Sequence, residues 1–158
     1  MHLIRFLVAA LLGVAAVAAA AEPSATYVMR HLQKATGDDP GLSEEGRKNA
    51  QRVAARFASE RPGTIYVSAT RRARETAAPL AARLGLTAKE YDPRDTSGLI
   101  EKVKSESGIV LIVGHSNTVP DIVELLGGEK PAALQETDFG AIWRVAPDGK
   151  TEMKTLGG

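Results

Sequence analysis

The sequence predicts an α/β protein, a three-layer α/β/α sandwich built on a mostly parallel sheet with an antiparallel edge. Three observations predict it. Short apolar runs alternate with longer amphipathic segments along most of the chain, the pattern of strands crossing over to helices. The run Gly108–Gly114, "GIVLIVG", is unbroken and β-branched between two glycines, as a central strand buried on both faces requires. The tail holds two strand-like runs separated by "PDG", which reads as a hairpin and supplies the antiparallel edge.

The elements follow in order. "ATYVM" (25–29) is apolar and β-branched enough for a buried first strand, and "ATGDDPGL" (35–42) has the Gly, Asp and Pro content of a loop. In "SEEGRKNAQRVAARFASE" (43–60), Ser43 stands as the N-cap with Glu44 and Glu45 in the first turn, and Val53 and Phe57 recur at helical spacing. "GTIYVS" (63–68) is a second strand. "RRARETAAPLAARLG" (71–85) is a second helix closed by Gly85, with Pro79 a candidate kink. "LTAKEYDP" (86–93) holds a brief third strand. "DTSGLIEKVKSES" (95–107) is a helix with Leu99, Ile100 and Val103 on its apolar face. After the central strand, "NTVPDIVELLGG" (117–128) is a helix ending at Gly127 and Gly128, followed by the hairpin strands 140–146 and 150–156.

Residues 1–21 stand apart. One arginine, a long apolar stretch without acids and the small residues Ala19 to Ala21 before Glu22 form the pattern of a cleaved secretory signal. The apolar stretch is short for a membrane span of ~20 residues. The expectation is a signal peptide at 1–21, one domain at 22–158, and a secreted, periplasmic protein with no stable membrane span after processing. A retained anchor is the alternative. There is no cysteine, which excludes a disulfide framework, thiol catalysis and lipid attachment through an N-terminal Cys. The formal charge of +1 falls to zero once Arg5 is removed with the signal, and a neutral chain lacks the basic surface that nucleic-acid binding needs.

The mature chain keeps two histidines, His31 and His115, and each follows a strand directly. Side groups just past the carboxyl ends of parallel strands face the crevice where open α/β sheets bind ligands. The second strand leads at the same end into Arg71, Arg72 and Arg74 at a helix start, where free backbone N–H groups and planar guanidinium forks suit phosphate oxygens. Three strand ends thus deliver Arg30, His31, Arg71 or Arg72, and His115. A cationic pocket in a neutral protein implies an anionic ligand.

These motifs resemble the histidine phosphatase superfamily, in the branch related to phosphoglycerate mutase, over about residues 26–128. Its Arg-His motif falls on Arg30-His31, its helix-start motif on Leu42-Ser43-Glu44-Glu45-Gly46, its S-x-x-x-R-A-x-x-T on Ser68, Arg72, Ala73 and Thr76, and its second Gly-His on Gly114-His115. The resemblance implies a phosphoglycerate mutase-like fold and a phosphatase in which His31 is the nucleophile that becomes phosphohistidine. Arg30, Arg72 and His115 would cradle the phosphoryl oxygens. No cofactor and no metal are implied, and the partner would be a phosphorylated small molecule or an envelope phosphate group on sugar, lipopolysaccharide or protein. A non-catalytic phosphate or phosphosugar binder and a phosphomutase are the alternatives.

The chain departs from the family at two places. Many members have glycine and then glutamate after the Arg-His pair, where this chain has Leu32 and Gln33, so an altered pocket mouth is expected. The general acid is also open. Glu90, Asp92 and Asp95 lie where mutase-like members carry it, and Asp95 is favoured on its spacing from Arg72. "LQETDFGAIW" imitates the acid-bearing phrase but comes after His115, so Glu136 and Asp138 could reach the pocket only from a loop.

Overall fold

The structure is a computed structural model and describes residues 22–157; the expected signal segment lies outside the described residues. Six strands form one sheet: β1 (Pro23–Arg30), β2 (Thr64–Ser68), β3 (Lys89–Tyr91), β4 (Gly108–Gly114), β5 (Ala141–Val145) and β6 (Thr151–Thr155). Four helices accompany them: α1 (Glu44–Arg56), α2 (Arg71–Leu84), α3 (Thr96–Lys104) and α4 (Val119–Leu125). The strand order is β3-β2-β4-β1-β5-β6. β1, β2, β3 and β4 run parallel to one another, and β5 and β6 add the antiparallel edge. The sandwich expected from the alternation of strands and helices is the fold observed.

Period-2 alternation divides the core between two faces. Tyr27 and Met29 of β1 and Leu111 and Val113 of β4 pack with Val53 of α1, Phe57 at its C-cap and Leu80 of α2. Val28, Val110 and Ile112 point the other way, onto Leu99 and Val103 of α3, Ile122 of α4 and Trp143 of β5. Both faces of β4 are therefore covered, which is why its sequence is apolar without alternation.

Helix ends follow local chemistry. The Ser43 side chain accepts the Gly46 N–H at 3.1 Å and so caps α1. α2 continues through Pro79 to end on Gly85, whose φ of 67° is the left-handed cap that glycine takes without strain. α1 stops at Arg56 and α4 spans only Val119–Leu125, both shorter than their apolar patterns suggest. β1 is longer than expected, and Arg30 is its last residue.

Gly46 is where the fold reaches toward the future site. Ser43 N–H and Ser43 Oγ both bond the Gln33 carbonyl, at 2.9 and 3.2 Å. A Cβ on Gly46 would run into that carbonyl. The glycine lets α1 dock on the chain just after His31, which accounts for the spacing of the Leu42–Gly46 motif.

Candidate active site

β1, β4 and β2 are neighbours in the sheet, so the residues after their carboxyl ends meet at one place. The His31 N–H donates to the Gly114 carbonyl at 2.9 Å, continuing the ladder one step past β1 and setting His31 beside His115. Their ring centroids are 5.3 Å apart. Gly114 permits the approach: a Cβ there would lie 2.9 Å from Thr118 Oγ1 and 3.2 Å from the Tyr91 hydroxyl.

His31 is held in one tautomer. Its Nδ1 lies 2.8 Å from the Leu32 carbonyl. A carbonyl can only accept, so Nδ1 carries the proton and the neutral ring presents a lone pair at Nε2. Arg72 points its Nε–H at that Nε2, at 3.1 Å. The Leu32 side chain is fully buried in the core, so it does not alter the pocket mouth as expected. Its backbone N–H bonds Thr76 Oγ1 at 3.0 Å, and that hydroxyl bonds the Arg72 carbonyl at 2.8 Å. The motif threonine thus ties the chain just after His31 to the helix carrying Arg72.

His115 is fixed from both ends. Its Nε2 lies 2.7 Å from Ser68 Oγ, which contacts Thr70 Oγ1 at 3.1 Å, and its backbone N–H donates to Thr118 Oγ1 at 3.0 Å. Ser68, quoted in the sequence motif without a role, is therefore the residue that orients the second histidine.

Burial pushes both imidazoles down to about 4. Burial is the largest cause in each, and the Arg72 and Arg30 cations reinforce it; at His31 the Leu32 carbonyl opposes. Both rings are neutral at pH 7. The unfolded chain titrates these groups near 6.5, so between about 6.5 and 4 it binds more protons than the folded protein. Stability therefore falls as pH drops through that window and levels off below it, by on the order of several kcal/mol for the pair. Chemical denaturation of the protein at a series of pH values should show this loss, and the His31→Asn/His115→Asn variant should lose far less. An unchanged slope in the variant would contradict these shifts.

Arg71 and Arg72, which spacing alone left as alternatives, separate clearly. Arg72 reaches His31, whereas Arg71 turns outward to pair with Glu75 at 2.7 Å. Arg74 pairs with Glu90 at 3.1 Å on the exposed face.

Arg30 is 3% exposed and is clamped by a distant loop. Its Nη1 donates to the carbonyls of Gln135, Glu136 and Asp138 at 2.8, 3.2 and 3.1 Å, and its guanidinium lies 4.2 Å from the Phe139 ring centroid. Nε is buried with no hydrogen-bond partner. Burial pushes this guanidinium below its ordinary value, opposed by Glu136 and Asp138. In this state Arg30 fastens the 135–139 loop rather than presenting an open fork.

The candidate acids divide in the same way. Glu90 is paired with Arg74, Asp92 is chelated by Arg94 at 2.8 Å, and Asp95 caps α3 by accepting the Gly98 N–H at 2.9 Å. Asp138 accepts the Gln135 N–H at 2.7 Å inside its own loop. Glu136 alone of the five touches a pocket cation, 3.4 Å from Arg30 Nη2. Sequence reasoning missed Asp39, which accepts the Arg71 N–H and lies 3.6 Å from Arg72 Nη1. The signal was a turn composition that gives no direction to a side chain. Among the described residues no three or more His, Cys, Asp or Glu side chains cluster as metal ligands.

The family model of the histidine phosphatase superfamily (branch 1) matches residues 26–101, including Arg30, His31 and Arg72 but ending before His115. No curated protein matches the sequence significantly. Solved structures share the fold. SixA from Agrobacterium tumefaciens is 24% identical with a TM-score of 0.65, covering 84% of this chain and 96% of its own. The protein histidine phosphatase SixA in complex with tungstate is 18% identical with a TM-score of 0.64, over 84% and 97% of the two chains. A mycobacterial glucosyl-3-phosphoglycerate phosphatase with VO3 is 18% identical with a TM-score of 0.65, over 84% and 98%. With the motif residues assembled around His31 and the family model covering two of the three strand ends, residues 26–101 are similar to the histidine phosphatase superfamily, and the solved structures share this chain's fold.

Proposed function

We propose that this protein is a metal-independent phosphatase that hydrolyses phosphomonoesters through a phosphohistidine on His31. The carrying observation is the tautomer: Nδ1–H is tied to the Leu32 carbonyl, and a buried, neutral Nε2 faces the Arg72 guanidinium. A binding module has no need of an imidazole lone pair at that point.

In the proposed reaction the phosphoryl group enters between His31 Nε2 and Arg72. The Nε2 lone pair forms the N–P bond as the bond to the leaving oxygen breaks, and that oxygen takes up a proton. Water then attacks phosphorus, the N–P bond breaks, and inorganic phosphate leaves with Nε2 again unprotonated. Charge builds on the equatorial oxygens in both steps, and fixed cations in a dry site stabilise it without reorganising. Arg72 supplies this directly, and Arg30 does so once the 135–139 loop yields, while His115 lines the same pocket as a neutral imidazole. Glu136 is the carboxyl best placed to protonate the leaving oxygen.

Hydrolysis of a phosphomonoester panel should persist in EDTA and be inhibited by vanadate, which presents a five-coordinate oxyanion to the same donors. Loss of activity in EDTA that returns with a divalent ion would contradict the mechanism. The residue pattern at 1–21 supports export with cleavage before Glu22. Intact mass of protein from the exported fraction tests this, and a mass that retains Met1 to Ala21 would favour a retained anchor.

A further inference from the structure

Each arginine of the pocket already carries a carboxylate on its solvent side. Asp39 lies 3.6 Å from Arg72 Nη1, and its two oxygens also accept the Arg71 N–H at 3.1 and 3.3 Å. It caps α2 from another loop, since Thr70 makes no side-chain cap. Glu136 lies 3.4 Å from Arg30 Nη2. These two carboxylates are 56% and 84% exposed, whereas Arg30, His31 and His115 are 9% exposed or less. The pocket floor is closed, so the group that bears the phosphate must project outward past the rim where Asp39 and Glu136 stand.

We propose that Asp39 and Glu136 make the mouth of the pocket acidic and thereby set its substrate class: phosphate carried on a neutral or cationic group, with a second anion close to phosphorus rejected. This rests on the reading of the pocket as a phosphate site. An incoming phosphoryl group takes the arginine donors from both carboxylates and leaves them unpaired beside it. A neutral or ammonium-bearing group tolerates or complements them. A carboxylate or second phosphate meets two like charges. The neighbouring Arg71 is occupied by Glu75 and does not offset them. At a rim where Asp39 is about half exposed and Glu136 mostly so, a like charge held about 6–8 Å away weakens binding by on the order of threefold per carboxylate, and added salt reduces the effect. The same charges disfavour the phosphomutase alternative, whose substrates and intermediates carry two anionic groups.

The test uses two non-hydrolysable ligands of matched length and opposite charge, 2-aminoethylphosphonate and 3-phosphonopropionate, titrated by calorimetry at low salt. The native protein should bind the cationic ligand at least on the order of tenfold more tightly. In the Asp39→Asn/Glu136→Gln variant that gap should collapse, mainly because the anionic ligand gains affinity. Asparagine remains a good cap acceptor for the Arg71 N–H, so the variant should fold, and its melting temperature checks this. Equal binding by the native protein, or preference for the anionic ligand, overturns the acidic mouth and leaves the phosphate pocket standing. A preference that persists in the double variant overturns the assignment to Asp39 and Glu136. Binding of neither ligand overturns the pocket itself, and with it both readings.

Discussion

His31→Ala should abolish turnover and, with it, any acid-labile, base-stable phosphoenzyme. The expectation follows from the tautomer lock, because no other side chain in the pocket presents a lone pair to an incoming phosphorus in the same way. His115 is the only other imidazole there, and its Nε2 is held by Ser68 at 2.7 Å. His115→Ala should therefore damage catalysis, since a neighbour of the transferring group is lost, while His115 itself should never carry the label. Arg30→Ala should slow formation of the intermediate without moving it, and it should also loosen the 135–139 loop that Arg30 clamps through three carbonyls. Reacting the protein with labelled substrate, quenching without acid and mapping peptides reads all three variants. Label on His115, or undiminished turnover by His31→Ala, would require a different nucleophile or a binding role.

The parts of this site that could be read from the sequence are those in which chemistry is tied to a strand end. Arg30-His31 and Gly114-His115 sit directly after apolar runs, and a strand that ends in a polar pair can only deliver it to the sheet's edge of the crevice. The choice between Arg71 and Arg72 could not be made from spacing, because both lie in the first turn of α2 and differ by about 100° of helix rotation. Packing of α2 against the sheet settles it.

The carboxylates beside the pocket were harder to find for a different reason. Asp92, Asp95 and Glu90 lie in the right segment, yet local demands absorb them: Asp92 binds Arg94 two residues on, Asp95 caps its own helix, and Glu90 meets Arg74 across the surface. Asp39 and Glu136 reach the pocket from loops whose composition marks a turn but not a direction. The contact between Arg30 and Gln135 spans 105 residues of chain, and no periodicity encodes it. Leu32 shows the converse. Read as a change at the pocket mouth, it is a core residue, and only its carbonyl acts on His31.

Arg72→Ala should lower kcat/KM by on the order of 3 kcal/mol or more, about a hundredfold or greater, as removal of a preorganised oxyanion donor does. The side chain is 20% exposed and its Nε–H already points at His31 Nε2 from 3.1 Å, so an outward shift that frees the lone pair leaves its donors facing oxygens bound to the phosphorus entering there. Lysine should rescue little, because a single ammonium cannot keep one donor toward the reacting centre while another faces Asp39. A second readout separates this role from simple packing. Arg72 is one of the cations that hold His31 low, so its removal should raise the His31 pKa and shift the acid limb of the kcat/KM profile to higher pH. Arg74→Ala is the control: that side chain is 49% exposed and paired with Glu90 on the outer face of the same helix, and its loss should leave both rate and profile near those of the native protein. An Arg72→Ala variant within threefold of native activity, or one whose acid limb stays in place, would mean that the guanidinium at His31 is a resting contact and that another group stabilises the transferring phosphoryl.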